Sequence, residues 1–364
     1  MRGPVLALCS RMRRTLWLGL VPLSLACTSV SQEGSPPLPI VLAHPPADPG
    51  GPPPELDGSA SEVSVFAIRT LYLGDTDRTG VASPNAWKAF GFDIDGKATT
   101  RQSTDVCQLQ VGASNLTQED GQDGIDNAFG LSLMPLLITT FGPDFSSQVN
   151  ASLSAGLMTN LIVVHGLGTA TTASPLTAEL VVAAPLGGMP TWSTADVWPV
   201  DSSSLRDLDA GSPLLMFPQS YVVGGVLVAE PPAGAGELAL GIAGGAPLVL
   251  PIRHVQIAMT LSPDGMTATA GTISGILPTD RLVALAQNVA GTVGTTLCSG
   301  SAFLTLAQWI EQSEESLLDG TQDPSLPCDG ISIGLGFEAV RVQRGPVAVV
   351  PPFGDACPAA DAGP

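Results

Sequence analysis

The chain has 364 residues, of which 33 are acidic and 14 basic, giving a net charge of −19 at neutral pH. That balance argues against a nucleic-acid partner, since such binding rests on neutralising phosphates with Lys and Arg, and against electrostatic adsorption to anionic lipid heads. Charged residues make up only 13% of the chain, and its 41 glycines and 33 prolines point to many short strands joined by turns.

Arg11, Arg13 and Arg14 precede an apolar run, Leu16 to Leu25. A basic start followed by a short apolar core is the form of a secretory signal, and the run falls well short of the ~20 residues that a spanning helix needs. It ends Leu23-Ser24-Leu25-Ala26-Cys27, which is similar to the lipobox cut by lipoprotein signal peptidase, with cysteine first after the cut. Ser24 departs from that pattern, because leucine is usual three places before the cysteine. Residues 1–26 are therefore predicted to be a lipoprotein signal peptide and Cys27 the lipidation site, with an ordinary signal peptide cut nearby as the competing reading. Removing these 26 residues takes four of the 14 basic residues and no acidic one, so the net charge deepens from −19 to −23.

Residues 27–61 are rich in Pro, Gly and Ser, a composition that cannot bury enough apolar surface to fold and that suits a tether. The predicted partner is thus a membrane, reached through the acyl chains on Cys27, and the predicted location is the cell envelope. Residues 62–348 read as one β-rich domain, and 349–364 as a Pro/Ala-rich tail.

Within the body, residues 63–73 have strand character. Residues 128–141 read as a buried helix interrupted by Pro135, and Asp144 as the N-cap of a helix whose Phe145, Val149, Leu153 and Leu157 form an apolar stripe. Strands are predicted at 161–164, 178–183, 214–217, 221–228, 238–242, 248–252, 255–261 and 266–276, with Asp264-Gly265 as a hairpin turn. Helices follow at 279–290 and 302–318, the second placing Glu311, Glu314 and Glu315 on its outer face, and a last strand covers 332–343. The fold class expected is mainly β with inserted helices, a jelly-roll-like β-sandwich, with an α+β curved sheet packed by helices as the alternative.

Cys107, Cys298, Cys328 and Cys357 remain after the signal region, an even number that suits an oxidising compartment. Of three pairings, Cys298 with Cys328 is favoured because they bracket one helix, leaving Cys107 with Cys357. No CxxC or close Cys/His spacing supports zinc.

Glu119 to Gly130 is the most distinctive stretch, with carboxylates at Asp120, Asp123 and Asp126 on a glycine-rich loop. Asp93, Asp95 and Gly96 resemble the third, fifth and sixth positions of an EF-hand loop, but Gly91 and Gln102 fail at the first and twelfth. Hard cations such as Ca²⁺ want six to eight oxygens from carboxylates, amides and carbonyls, so a composite Ca²⁺ site built from Asp93, Asp95, Asp120, Asp123 and Asp126 is one reading. Turn and cap roles for the same residues, with Asp126 or Asn127 capping the next helix, are the other. His165 and His254 lie on apolar strands and read as structural. Trp192 and Trp198 flank a loop that suits core packing better than sugar stacking. No G-x-S-x-G elbow, H-E-x-x-H, phosphate loop or dinucleotide fingerprint is present.

Trp87-Lys88-Ala89-Phe90-Gly91-Phe92-Asp93-Ile94-Asp95-Gly96 and Asp123-Gly124-Ile125-Asp126-Asn127-Ala128-Phe129-Gly130 resemble stretches shared by a group of exported proteins and lipoproteins of myxobacteria, and Asp319 to Pro324 and Cys328 to Ser332 also fit. The resemblance spans most of residues 64–345 and implies export without implying an activity. The function expected is a lipid-anchored, non-enzymatic binding or structural role at the cell surface or periplasm, with an extracellular glycan or protein as ligand. The alternative is a secreted hydrolase using paired carboxylates.

Overall fold

The computed structural model describes residues 62–206, 212–229, 235–241, 247–293, 298, 300–351 and 357. The signal peptide, Cys27, the tether and nearly all of the tail lie outside the described residues. Among the described residues ten strands are present: β1 (Val63–Tyr72), β2 (Thr159–His165), β3 (Ala173–Ala183), β4 (Val197–Asp201), β5 (Leu215–Val223), β6 (Val226–Ala229), β7 (Ala235–Gly241), β8 (Pro247–Leu261), β9 (Thr267–Pro278) and β10 (Gly330–Ala348). The helices are α1 (Met134–Phe141), α2 (Phe145–Ser154), α3 (Thr279–Val293) and α4 (Gly300–Glu311).

Eight of these strands close on themselves. Each of β1, β2, β3, β5, β6, β8, β9 and β10 pairs antiparallel with the next, and β10 returns to β1. The result is a closed antiparallel barrel with β4 and β7 outside the ring, which corrects the sandwich and the helix-packed curved sheet alike. The physical reason is pairing at long range. β1 meets β10 across the length of the domain, and β3 skips β4 to meet β5, so neither edge of the sheet stays open.

Eight strands leave an interior just wide enough for side chains to fill. One face of the sheet, with Phe66, Ile162, Phe217, Ile257, Ile273 and Phe337, joins the helices in the main core. The opposite face of β1, β2 and β3 is buried as well, because β4 and its flanking turns lay Trp198, Val200 and Leu205 over Val65, Leu161 and Val181. That second layer explains why β2 reads as a continuous apolar run instead of alternating.

Several boundaries shift from the sequence expectation. Residues 221–228 form the end of β5 and the start of β6, folded back at Gly224-Gly225. Residues 248–261 form one strand, β8, with a register shift beside His254, whose φ is 49°. β4 was not anticipated. The 128–141 helix starts as a π-turn over Phe129–Leu133, and Pro135, which cannot donate to the preceding turn, sits where the run passes from the π-turn into α1. Asp144 makes no side-chain cap, and α2 ends before Leu157, which is exposed. No described helix is long and apolar enough to cross a membrane.

The disulfides are Cys107–Cys328 and Cys298–Cys357, with Cα separations of 5.2 and 5.3 Å, which corrects the pairing of Cys298 with Cys328. α4 carries the chain about 18 Å away from Cys298. Cys328 arrives instead beside the 107 segment, where Gln108 bridges Pro327 and its carbonyl accepts from Cys328 N–H at 3.0 Å.

Asn127 fixes the loops to the barrel. Its side-chain amide donates to the carbonyls of Trp87, Phe90 and Gly334 at 3.0–3.1 Å, and its Oδ1 accepts from the N–H groups of Gly130 and Gly334 at 2.9 and 3.0 Å. Gly334 has no alternative at this crossing, since a Cβ there would fall 2.1 Å from the Phe90 carbonyl oxygen. Asn127→Ala removes five hydrogen bonds to buried backbone, with only the Trp87 carbonyl keeping a second partner in the Phe90 N–H, and urea unfolding should show a loss of about 3–5 kcal/mol with native strand content retained.

Candidate metal centre

Asp93 and Asp95 lie on the turn that follows the 3-10 turn Ala86–Ala89, and Asp126 on the segment that runs into the π-turn. The first turn is shaped by its own aspartates. Asp93 Oδ1 accepts from Gly96 N–H at 2.7 Å and Lys97 N–H at 3.1 Å, and Asp95 Oδ1 accepts from Lys97 N–H at 2.8 Å. These are the side-chain-to-backbone bonds that make Asp a turn residue. The second segment docks on the first through Asp126 N–H to the Phe92 carbonyl at 3.0 Å, and through Asp126 Oδ2, which accepts from Ile94 N–H at 2.6 Å and Asp95 N–H at 3.3 Å. Between them Gly124, at φ 86°, passes so close that a Cβ would lie 2.9 Å from the Lys97 carbonyl and 3.1 Å from Asp93 Oδ2.

The outcome is three carboxylate oxygens, one each from Asp93, Asp95 and Asp126, all within 4.8 Å of one another. Two oxygens that each sit about 2.4 Å from one Ca²⁺ are at most about 4.8 Å apart, so the spacing admits a shared ion. Asp126 is 3% exposed, and its Oδ1 is buried with no hydrogen-bond partner. Asp95 Oδ2 is likewise outside hydrogen-bonding geometry, although Gln322 lies close enough to temper its charge.

Of the five predicted ligands the structure brings these three together. Asp123 is exposed on the turn that carries it, at φ 54°, and stands outside the cluster. Asp120 is next to the site but committed elsewhere, its Oδ1 accepting from Thr99 Oγ1 at 2.8 Å and its Oδ2 from Thr99 N–H. The cap reading of Asn127 is partly right, since it accepts from Gly130 N–H at the start of the helical run.

Glu315 was missed. The sequence reading extended α4 to residue 318 and put Glu314 and Glu315 outside, yet α4 ends at Glu311 and both glutamates are 5% exposed. The chain leaves the helix because Glu315 and Ser316 N–H turn to the Gly330 carbonyl at the head of β10. Glu315 Oε1 then accepts from Ser332 N–H at 2.9 Å, and Glu314 Oε2 from Gln110 at 2.6 Å. The signal was a serine on each side of the acidic pair, an unusual outer face for a helix.

Burial, reinforced by the charges of Glu315, Asp95 and Asp120, pushes the Asp126 carboxyl well above the ordinary carboxylate range. Burial likewise raises Glu315 to about 7, and Asp120 to about 8 against the opposing hydrogen bonds from Thr99. Asp95 moves the same way, chiefly through burial. The nearby cation, Lys97, is paired with Asp105 at 2.9 Å. The cluster therefore holds more negative charge than its own residues neutralise, and either protons or a hard cation must supply the difference. An open recess lined by residues 98–102, 119–121, Asp123 and Gly124 lies on the Gly124 side.

Acids raised in the folded state keep protons that the unfolded chain has already released, so they cost stability as pH climbs. In protein freed of divalent ions by chelation, unfolding free energy should fall as pH rises from about 4 through about 7 and 8, the range between ordinary carboxylates and the raised values of Glu315 and Asp120. Denaturant titrations across this range are the measurement; a slope unchanged in Glu315→Gln and Asp126→Asn would contradict the assignment.

No known protein family, curated protein or solved structure matches the chain.

Proposed function

We propose that this chain is exported, cut before Cys27 and held to a membrane by acyl chains on that cysteine. Its barrel then serves a non-enzymatic binding or structural role outside the cytoplasm, with its loops locked by a Ca²⁺ ion at Asp93, Asp95 and Asp126. The observation that carries the metal reading is the partnerless Oδ1 of a 97%-buried carboxylate, Asp126, set among two further carboxylates. Oxygen-only donors at this spacing favour Ca²⁺, and they disfavour zinc, which takes Cys and His. Export is supported by the signal-like residues 1–26 and by two disulfides, which suit an oxidising compartment.

Hydrolysis of a glycoside needs two carboxylates facing one another across an open cleft about 5–10 Å wide. Here the acids converge on one point and are largely buried, an arrangement that supports holding an ion. Trp198 is fully buried and packs against Trp192 with ring centroids 6.0 Å apart, so this pair supports core packing and not a sugar platform.

Calcium that binds only the native state raises stability by about 2.7 kcal/mol at a hundred times its dissociation constant. Thermal unfolding in Ca²⁺ against chelator should show that gain, with Mg²⁺ giving less, and Asp126→Asn or Asp95→Asn should abolish it. A melting temperature indifferent to Ca²⁺ in the unaltered protein would overturn the metal reading. The tether is tested separately: labelled palmitate should enter the protein in a bacterial host that processes lipoproteins, and Cys27→Ser should remove both the label and the protein from the membrane fraction.

A further inference from the structure

A second site lies away from the carboxylates. α1, α3 and α4 pack over the first half of β8 and form a cleft of about 80 Å³ that opens to solvent on one side. Its floor is the buried Phe129, Leu250, Leu282 and Ile310, and its walls include the half-buried Leu137, Phe141, Leu285, Ala286 and Leu306. Among the described lining residues Thr140 contributes the one hydroxyl, and that group is spent inside its own helix, donating to the Leu136 carbonyl at 2.8 Å. Among the described residues, no Lys, Arg, His, Asp or Glu lines the cleft.

We propose that this cleft binds the acyl chain of an uncharged lipid. The volume is of the same order as the roughly 150 Å³ cavity, lined by Leu, Ile and Phe, that stays dry and takes up an apolar guest, and the open mouth lets the rest of a longer chain run outward. The lining decides the ligand's chemistry, since it offers C–H surface and no free donor or acceptor. Charge decides its head group. With no cation in the lining and a net charge of −19 on the chain, a fatty-acid anion finds no counter-charge here, while an ester head group can rest in water at the mouth. The Cys298–Cys357 bridge helps hold the roof, for Cys357 Sγ packs 3.1 Å from the Gln287 carbonyl oxygen on α3 while Cys298 precedes α4. This inference stands apart from the metal centre and from the tether.

The test uses the whole chain and a neutral fluorescent probe, N-phenyl-1-naphthylamine, with competitors held below their aggregation limits. Fluorescence should rise saturably with one site per chain. 1-Monodecanoylglycerol should displace the probe at least about tenfold more effectively than decanoate. Ala286→Trp, which fills the cleft, should weaken probe binding at least about tenfold while strand content and melting temperature stay native; Leu306→Trp serves if the first variant fails to fold. Non-saturable fluorescence, or unchanged binding in the folded cleft-filling variant, overturns the site, and equal displacement by decanoate overturns the uncharged head group. A concentration-dependent dimer in sedimentation that the same variant abolishes, without lipid displacement, would make a second copy of the chain the occupant and also overturn the proposal.

Discussion

The loops of this protein depend on one neutral side chain. Asn127 is the point at which the segment after β1, the start of the π-turn and the first part of β10 are joined, its two amide hydrogens shared among three carbonyls and its oxygen accepting from two N–H groups. Only a carboxamide serves there, because the surrounding backbone presents carbonyls on one side and N–H groups on the other. A carboxylate in the same place would face three carbonyls with nothing to donate. Its neighbour Asp126 meets the opposite environment, two backbone N–H groups on one oxygen and no partner on the other. Adjacent residues of almost identical shape thus take different work: the amide holds backbone together, and the acid is left with charge to share.

That charge sets the electrostatic character of the site. Buried carboxylates repel one another and lose hydration, and a protein with so few cations has little to set against them. Lys88 and Arg101 both pair with Glu119, at 2.8 and 2.5 Å, and Lys97 with Asp105, so the local bases are engaged at the periphery. The acids come from three stretches far apart in sequence, 93–95, 120–126 and 314–315, the last two of which flank the helical and barrel segments between them. The Cys107–Cys328 bridge ties the same regions covalently. Holding these stretches together is therefore shared between a disulfide, an amide and whatever neutralises the acids.

Much of the strand content was legible, because β-branched and apolar residues bounded by Gly and Pro mark strands locally. Closure was not, since a barrel and a sandwich demand the same in-out pattern and differ only in whether β1 finds β10. β4 escaped notice because Val197-Trp198-Pro199-Val200-Asp201 is short and contains a proline, which suits its place outside the ring. The composite nature of the acidic site was readable from two Asp-Gly segments. Which of Asp120, Asp123 and Asp126 would face inward was not, because the choice depends on a single left-handed turn at Asp123 and on Thr99 capturing Asp120. Glu315 was hidden by extending a helical pattern past its last turn. The cysteine pairing failed for a related reason: nearness in sequence was taken for nearness in space.

β7 lies outside the closed ring along the first half of β8, and a strand in that position ordinarily presents a free row of backbone groups. Here Asn160, buried on β2, donates to the Ala239 carbonyl at 2.8 Å and accepts from the Ala239 N–H at 3.0 Å. Those are the two groups that an incoming strand would use at that point. Both residues are fully buried, so no second molecule reaches this edge; the side chain takes the place of a neighbouring strand inside the fold and satisfies backbone groups that water cannot.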